Sequence, residues 1–157
     1  MNHWDPRAEE NHERIFLVVE DNRDDAFLME IELTRMTGCR LCIVKDGQQA
    51  VEYIEGRSPF DDRREFPLPD LILLDLKLPR LNGFEFLKWL RTRPHDDVAA
   101  IPVIIISSSD SKEDVREAYK LGANFYLGKP LNFTAFSERI RLLGLVWGEY
   151  AETLKHA

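Results

Sequence analysis

Five residues able to do chemistry stand at or just beyond the ends of four short apolar runs. Ile15–Val19 leads into Glu20 and Asp21, Leu71–Leu74 into Asp75, Val103–Ile106 into Ser107, and Phe125–Gly128 into Lys129. Three carboxylates gathered in one place repel one another and any incoming phosphate. A hard divalent cation resolves that repulsion, and Mg²⁺, with its preference for oxygen ligands and retained waters, suits Glu20, Asp21 and Asp75. Lys129 brings a second positive charge, and Ser107 a hydroxyl able to donate a hydrogen bond to a phosphate oxygen. An acidic cup neutralised in this way accepts a phosphoryl group. Asp75 is its natural nucleophile, since a carboxylate can form an aspartyl-phosphate, with the metal and Lys129 stabilising the charge in transfer.

One site follows only if the four runs are neighbouring strands. They are β-branched or leucine-rich without alternation, which is the habit of strands buried on both faces of a parallel sheet. Chemistry in open parallel sheets sits beyond the carboxyl ends of the strands, where strand order reverses. The spacing predicts strands over about residues 14–20, 40–44, 70–75, 102–106 and 124–127. Between and after them it predicts helices over about 24–36, 48–55, 84–93 and 113–121, and a fifth beginning near Asn132. Phe27, Leu28, Ile31 and Met36 fall on one face of the first helix, Phe86, Leu87 and Leu90 point inward from the third, and Phe133, Phe136, Ile140 and Leu143 form a stripe on the last. Five strands alternating with five helices specify an α/β, flavodoxin-like, doubly wound sheet of order 2-1-3-4-5. Residues 56–69, with three prolines and the cluster Asp61–Glu65, read as a surface loop, long for this architecture.

The chain has 157 residues, one ordinary domain, and carries 28 acidic against 21 basic side chains for a net charge of -7. An acidic surface repels nucleic-acid phosphates, so DNA binding is excluded as the output. No apolar stretch approaches the ~20 residues of a membrane span, and the polar start is no signal peptide, which sets a cytoplasmic expectation. Cys39 and Cys42 form a C-x-x-C with no second pair and no clustered histidine, and read as ordinary thiols.

With the residues in place, the chain resembles the receiver domains of bacterial two-component response regulators. The pieces are Glu20-Asp21, Asp75 within Leu-Leu-Asp-Leu-Lys-Leu-Pro, Asn82-Gly83, Pro102–Ser107, and Lys129-Pro130. The match spans about residues 13–143, leaving 1–12 as an N-terminal extension and 144–157 as a C-terminal, helical tail. The resemblance implies that Asp75 takes a phosphoryl group from a phosphohistidine on a sensor histidine kinase. It implies that Asp21 ligates Mg²⁺ directly and Glu20 through water, that the Lys77 carbonyl completes the protein ligands, and that the bond before Pro130 is cis. It also assigns Tyr126 as the switch, an aromatic that rotates inward as the Ser107 hydroxyl moves toward the phosphate. Glu20 stands where the family often has Asp, and Lys77 and Ser109 occupy positions that influence how quickly phosphate is lost.

A narrower resemblance joins the insert Arg57–Pro69, the Asp70–Asp75 segment and the Trp147-containing tail to the single-domain regulators that pair with bacterial phytochromes. It implies a phytochrome-type kinase as partner and a homodimer. The expectation is a stand-alone phosphoacceptor that signals by protein contact and catalyses only its own phosphorylation and dephosphorylation. A phosphatase of the haloacid dehalogenase type would need an acid two residues after the nucleophile, where Lys77 stands. A receiver-fold scaffold that is never phosphorylated would usually lack part of the acid and lysine set, which this chain retains.

Overall fold

The computed structural model describes residues 14–144. Along them run β1 (Ile15–Val19), α1 (Arg23–Thr37), β2 (Arg40–Val44), α2 (Gly47–Glu55), β3 (Leu71–Leu74) and α3 (Gly83–Arg91). There follow α4 (Asp96–Ala99), β4 (Val103–Ser107), α5 (Lys112–Lys120), β5 (Phe125–Gly128) and α6 (Phe133–Leu142). The strands form one parallel sheet in the order β2-β1-β3-β4-β5, as expected. The helices among the described residues number six rather than the expected five. The addition is α4, a single turn behind Pro94 in the link to β4. Asp96 and Asp97 suit its N-terminus, but one turn is too short to leave a periodic signature.

Alternation along the strands divides the core into two layers. Phe16, Val18, Leu71, Leu73, Ile104 and Ile106 pack with Met29 and Leu33 of α1 and Phe136 and Ile140 of α6. Leu17, Val19, Ile72, Leu74, Val103 and Ile105 pack with residues of α2, α3 and α5 on the other face. Cys39 belongs to the first layer and Cys42 packs against the second, so the two thiols are separated by the sheet.

The apolar stripe expected on α1 is turned the other way. Ala26, Met29 and Leu33 face the sheet, while Phe27, Leu28 and Ile31 are exposed at 61%, 60% and 45%. Both faces carry apolar residues, so periodicity alone could not choose between them. The side chain of Met36 lies outside the described residues.

Five helices begin with a side chain that accepts the N–H three residues on: Asn22, Asp46, Asn82, Ser111 and Asn132. Each such cap contributes about 1 kcal/mol. The caps of α1 and α6 come within a few residues of β1 and β5, so they hold the helix starts close to the edge where the chemistry lies.

The long loop over 56–69 is anchored rather than loose. Phe60 and Phe66 pack on the buried Tyr53 ring, with centroids 5.3 and 6.0 Å away, and the Tyr53 hydroxyl donates to Pro67 O at 2.8 Å. The Arg63 guanidinium donates to Tyr53 O (2.8 Å) and Ile54 O (2.6 Å) at the end of α2 and to Phe66 O (3.2 Å) in the loop.

Candidate functional site

Register brings the strand ends together. β1 and β3 pair Val19 with Leu74, so the next residues, Glu20 and Asp75, emerge side by side. Asp75 N–H donates to Val19 O at 3.0 Å, and Glu20 N–H to Val44 O at 3.0 Å. On the other flank Ser107 pairs with Gly128, and Lys129 N–H donates to Ser107 O at 2.9 Å. The bond between Lys129 and Pro130 is cis, and so is that between Ser58 and Pro59.

An open cleft of about 650 Å³ lies over these ends, lined by Glu20, Asp21, Asp75, Lys77, Ser108 and Lys129 together with the start of α1. Carboxylate oxygens of Glu20, Asp21 and Asp75 lie within 4.8 Å of one another. Glu20 and Asp75 are buried and Asp21 is exposed, so the cluster opens to solvent on one side. Asp75 is approached from behind by closely packed backbone: Gly83 N–H donates to Leu76 O at 3.0 Å, and a Cβ at Gly83 would overlap the Asp75 carbonyl.

Lys129 crosses from β5 into the cluster. Its Nζ is 2.7 Å from Glu20 Oε2, 3.0 Å from Asp75 Oδ2 and 3.1 Å from Asp25 Oδ2. Burial alone would lower the lysine's pKa, but the three carboxylates around the ammonium outweigh it and hold it above the ordinary lysine range. Glu20 moves the opposite way. Burial pushes its carboxyl up to about 7 and the charge of Asp75 adds to this, with Lys129 and the Asn22 N–H offsetting part.

The donor set fits a divalent cation on its chemistry. It offers three oxygen ligands of like charge at close quarters, and no hydrogen bond of normal geometry reaches the buried Glu20 Oε2. Lys77 has an exposed side chain, and its N–H donates to Asp75 Oδ1 at 3.3 Å, which sets its main chain at the rim.

Ser107 is fully buried behind the cleft wall, its Oγ accepting from Ser109 N–H at 3.2 Å, while Ser108 faces the cleft. Tyr126 is half-buried against the core, and its hydroxyl donates to Ser109 O at 2.8 Å. Its N–H donates to the Tyr119 hydroxyl at 3.1 Å, and Ser109 Oγ is bonded to Asp114 Oδ2 at 2.6 Å. The aromatic and the loop after β4 are thus one hydrogen-bonded unit.

Two features escaped the sequence. Asp25 reads locally as a helix-start acid, and nothing in its neighbourhood shows that it meets a lysine 104 residues later. Beside the cleft lies an apolar groove of about 250 Å³, walled by Leu28, Met29, Ile106, Leu131 and Phe133, with Asp25 and Lys129 at its rim.

A parallel 2-1-3-4-5 sheet with an acid cluster, a lysine and a hydroxyl at its carboxyl edge defines a class, and comparison with known proteins agrees. The chain matches the response regulator receiver domain over residues 16–141 and belongs to that family. It is 32% identical over 142 residues to response regulator Rcp1 of Synechocystis sp., covering 90% of this chain and 93% of that protein. The crystal structure of the Mn²⁺-bound form of Rcp1 superposes with a TM-score of 0.67 over 87% of this chain and 95% of that one, at 31% identity. The bacteriophytochrome response regulator AtBRR superposes with a TM-score of 0.75 over 87% and 96%, at 32% identity. Response regulator RPA3017, in red light signalling of R. palustris, gives 0.71 over 88% and 96%, at 37% identity.

Proposed function

We propose that this chain is a stand-alone response regulator whose Asp75 accepts a phosphoryl group from the phosphohistidine of a sensor histidine kinase, of the phytochrome type, and that it signals by protein contact. The observation that carries this reading is Asp75 itself, a buried carboxylate opening on a cleft with a second acid pair beside it and an ammonium 3.0 Å from Oδ2. In the transfer an Asp75 oxygen bonds to phosphorus as the P–N bond to the imidazole breaks, and the electron pair leaves with the imidazole nitrogen. Glu20, Asp21 and Asp75, with the Lys77 carbonyl, would hold Mg²⁺. When bound, the ion neutralises charge on the transferring group. Lys129 holds positive charge on the opposite side, and Ser107 is the hydroxyl that moves to the phosphoryl oxygen. Tyr126, tied to Ser109, converts that movement into a change of the surface formed by α5, β5 and α6.

The phytochrome assignment is supported by the likeness to the bacteriophytochrome response regulator AtBRR and to RPA3017 of red light signalling, with nearly complete coverage of both chains. The exposed Leu28, with the apolar groove it lines beside the cleft, and the exposed Phe27 and Ile31 on the same helix offer such a kinase an apolar footing. The protein catalyses only its own phosphorylation and dephosphorylation, and a homodimer is its proposed assembly.

Incubation with acetyl phosphate and Mg²⁺ tests the reading by intact mass. We expect a gain of one phosphate that is absent without metal and absent in Asp75→Asn. No gain, or a gain that survives Asp75→Asn, would overturn it.

A further inference from the structure

The Lys129 ammonium donates to two carboxylates and is ion-paired with a third. The acceptors are Asp75 Oδ2 at 3.0 Å and Asp25 Oδ2 at 3.1 Å, while Glu20 Oε2 is an ion-pair partner at 2.7 Å. Glu20 and Asp75 belong to the acid cluster, whereas Asp25 does not. Asp25 is the third residue of α1, and its N–H is held by the capping Asn22 Oδ1 at 3.0 Å, so the helix start fixes where its carboxylate stands.

A phosphoryl oxygen on Asp75 needs a well-aligned donor from Lys129, whose ammonium three carboxylates already surround, so one of them must give way. They differ in what release costs. The Glu20 and Asp75 side chains are only 1% and 8% exposed, and a buried carboxylate stripped of its cation bears the full desolvation penalty. Asp25 is 42% exposed, and water replaces the lysine there at little cost. Asp25 is the partner that Lys129 releases most easily.

Resting on the phosphoacceptor reading of the same cleft, we infer that Asp25 is a positioning residue: it holds Lys129 in the unphosphorylated protein and competes with the phosphoryl group for that lysine. Asp25→Asn keeps the shape and the hydrogen-bond acceptor but removes the charge that makes the competition strong. Asp25→Glu keeps the charge.

The test is fluoroberyllate, a phosphoryl mimic, titrated at saturating Mg²⁺ into the full chain and both variants, with thermal melts confirming that each is folded. A second readout, free of metal, is the ¹⁵N resonance of the Lys129 ammonium. Asp25→Asn should bind fluoroberyllate about threefold to tenfold more tightly, as expected when a charge-assisted hydrogen bond is replaced by a neutral one. It should also shift the Lys129 resonance, while Asp25→Glu stays near the parent in both. Equal or weaker binding by Asp25→Asn, or an Asp25→Glu variant that behaves like Asp25→Asn, would overturn the inference. A parent protein that binds no fluoroberyllate would bring down the phosphoacceptor reading, and this inference with it.

Discussion

Glu20 is nearly enclosed, and its carboxyl is pushed up to about 7, first by burial and then by the charge of Asp75. Below that pH the group carries a proton that a cation must displace, and above it the carboxylate is free. Apparent Mg²⁺ affinity should therefore rise with pH up to about 7 and then level. The slope below that point approaches about tenfold per pH unit for a single competing proton. Glu20→Gln should flatten this rise, and a metal titration followed by fluorescence from pH 5.5 to 8.5 measures it. Lys129 lies on the other side of the cleft, and Lys129→Ala should leave Mg²⁺ bound while weakening the conformational response to fluoroberyllate. An unchanged response would give the lysine a merely structural part. The residues at strand ends were legible because a parallel sheet delivers its carboxyl ends to one edge, whatever the loops do. Asp25 was not, because its partner lies across the fold and its own surroundings explain an acid there already.

Among the elements, α1 carries the largest difference between pattern and packing. Of its outward residues Leu28 borders the groove beside Lys129, so it bears on a protein phosphodonor and not on a small one. Leu28→Ser should slow phosphorylation by the cognate kinase about tenfold or more, as the loss of a docking anchor worth over 1 kcal/mol would. It should leave the acetyl phosphate rate unchanged, and parallel time courses with the two donors check this. The loop over 56–69 makes a separate prediction. Arg63 donates to three carbonyls, two at the end of α2 and one in the loop. Tyr53 O keeps the Gly56 N–H, but removing Arg63 takes its donors from the part-buried Ile54 O and Phe66 O. Arg63→Ala should cost about 2–3 kcal/mol, read as a lower midpoint in urea with the slope unchanged. Composition marked this segment as loop because its prolines and charges break periodicity, but they hide the two phenylalanines that pin it to Tyr53. The turn at α4 was missed for the same reason: a pattern needs length, and four residues have none.

For the molecule as a whole, the net charge of -7 and the exposed apolar face of α1 favour a protein partner over nucleic acid. The tail expected to support a homodimer, with Trp147, lies outside the described residues. Sedimentation of the full chain should give a dimer, and a truncation after Leu143 a monomer. Identical states would remove the tail from the assembly. The fold was readable nearly throughout because β1, β3 and β4 are buried along their whole length and show it in composition. The edge strands β2 and β5, only half-buried, still keep short apolar runs. The direction a half-apolar helix faces is settled only by what packs beneath it. One detail at Asp75 has a mechanical consequence. With Gly83 seated on its carbonyl, the end of β3 has no room to recoil, whereas the loop after β4 hangs on a serine, an aspartate and a tyrosine hydroxyl. The site is stiff on one bank and compliant on the other. A load placed on Asp75 therefore does its work on the far bank, and Gly83→Ala would blunt it by displacing the anvil rather than the hammer.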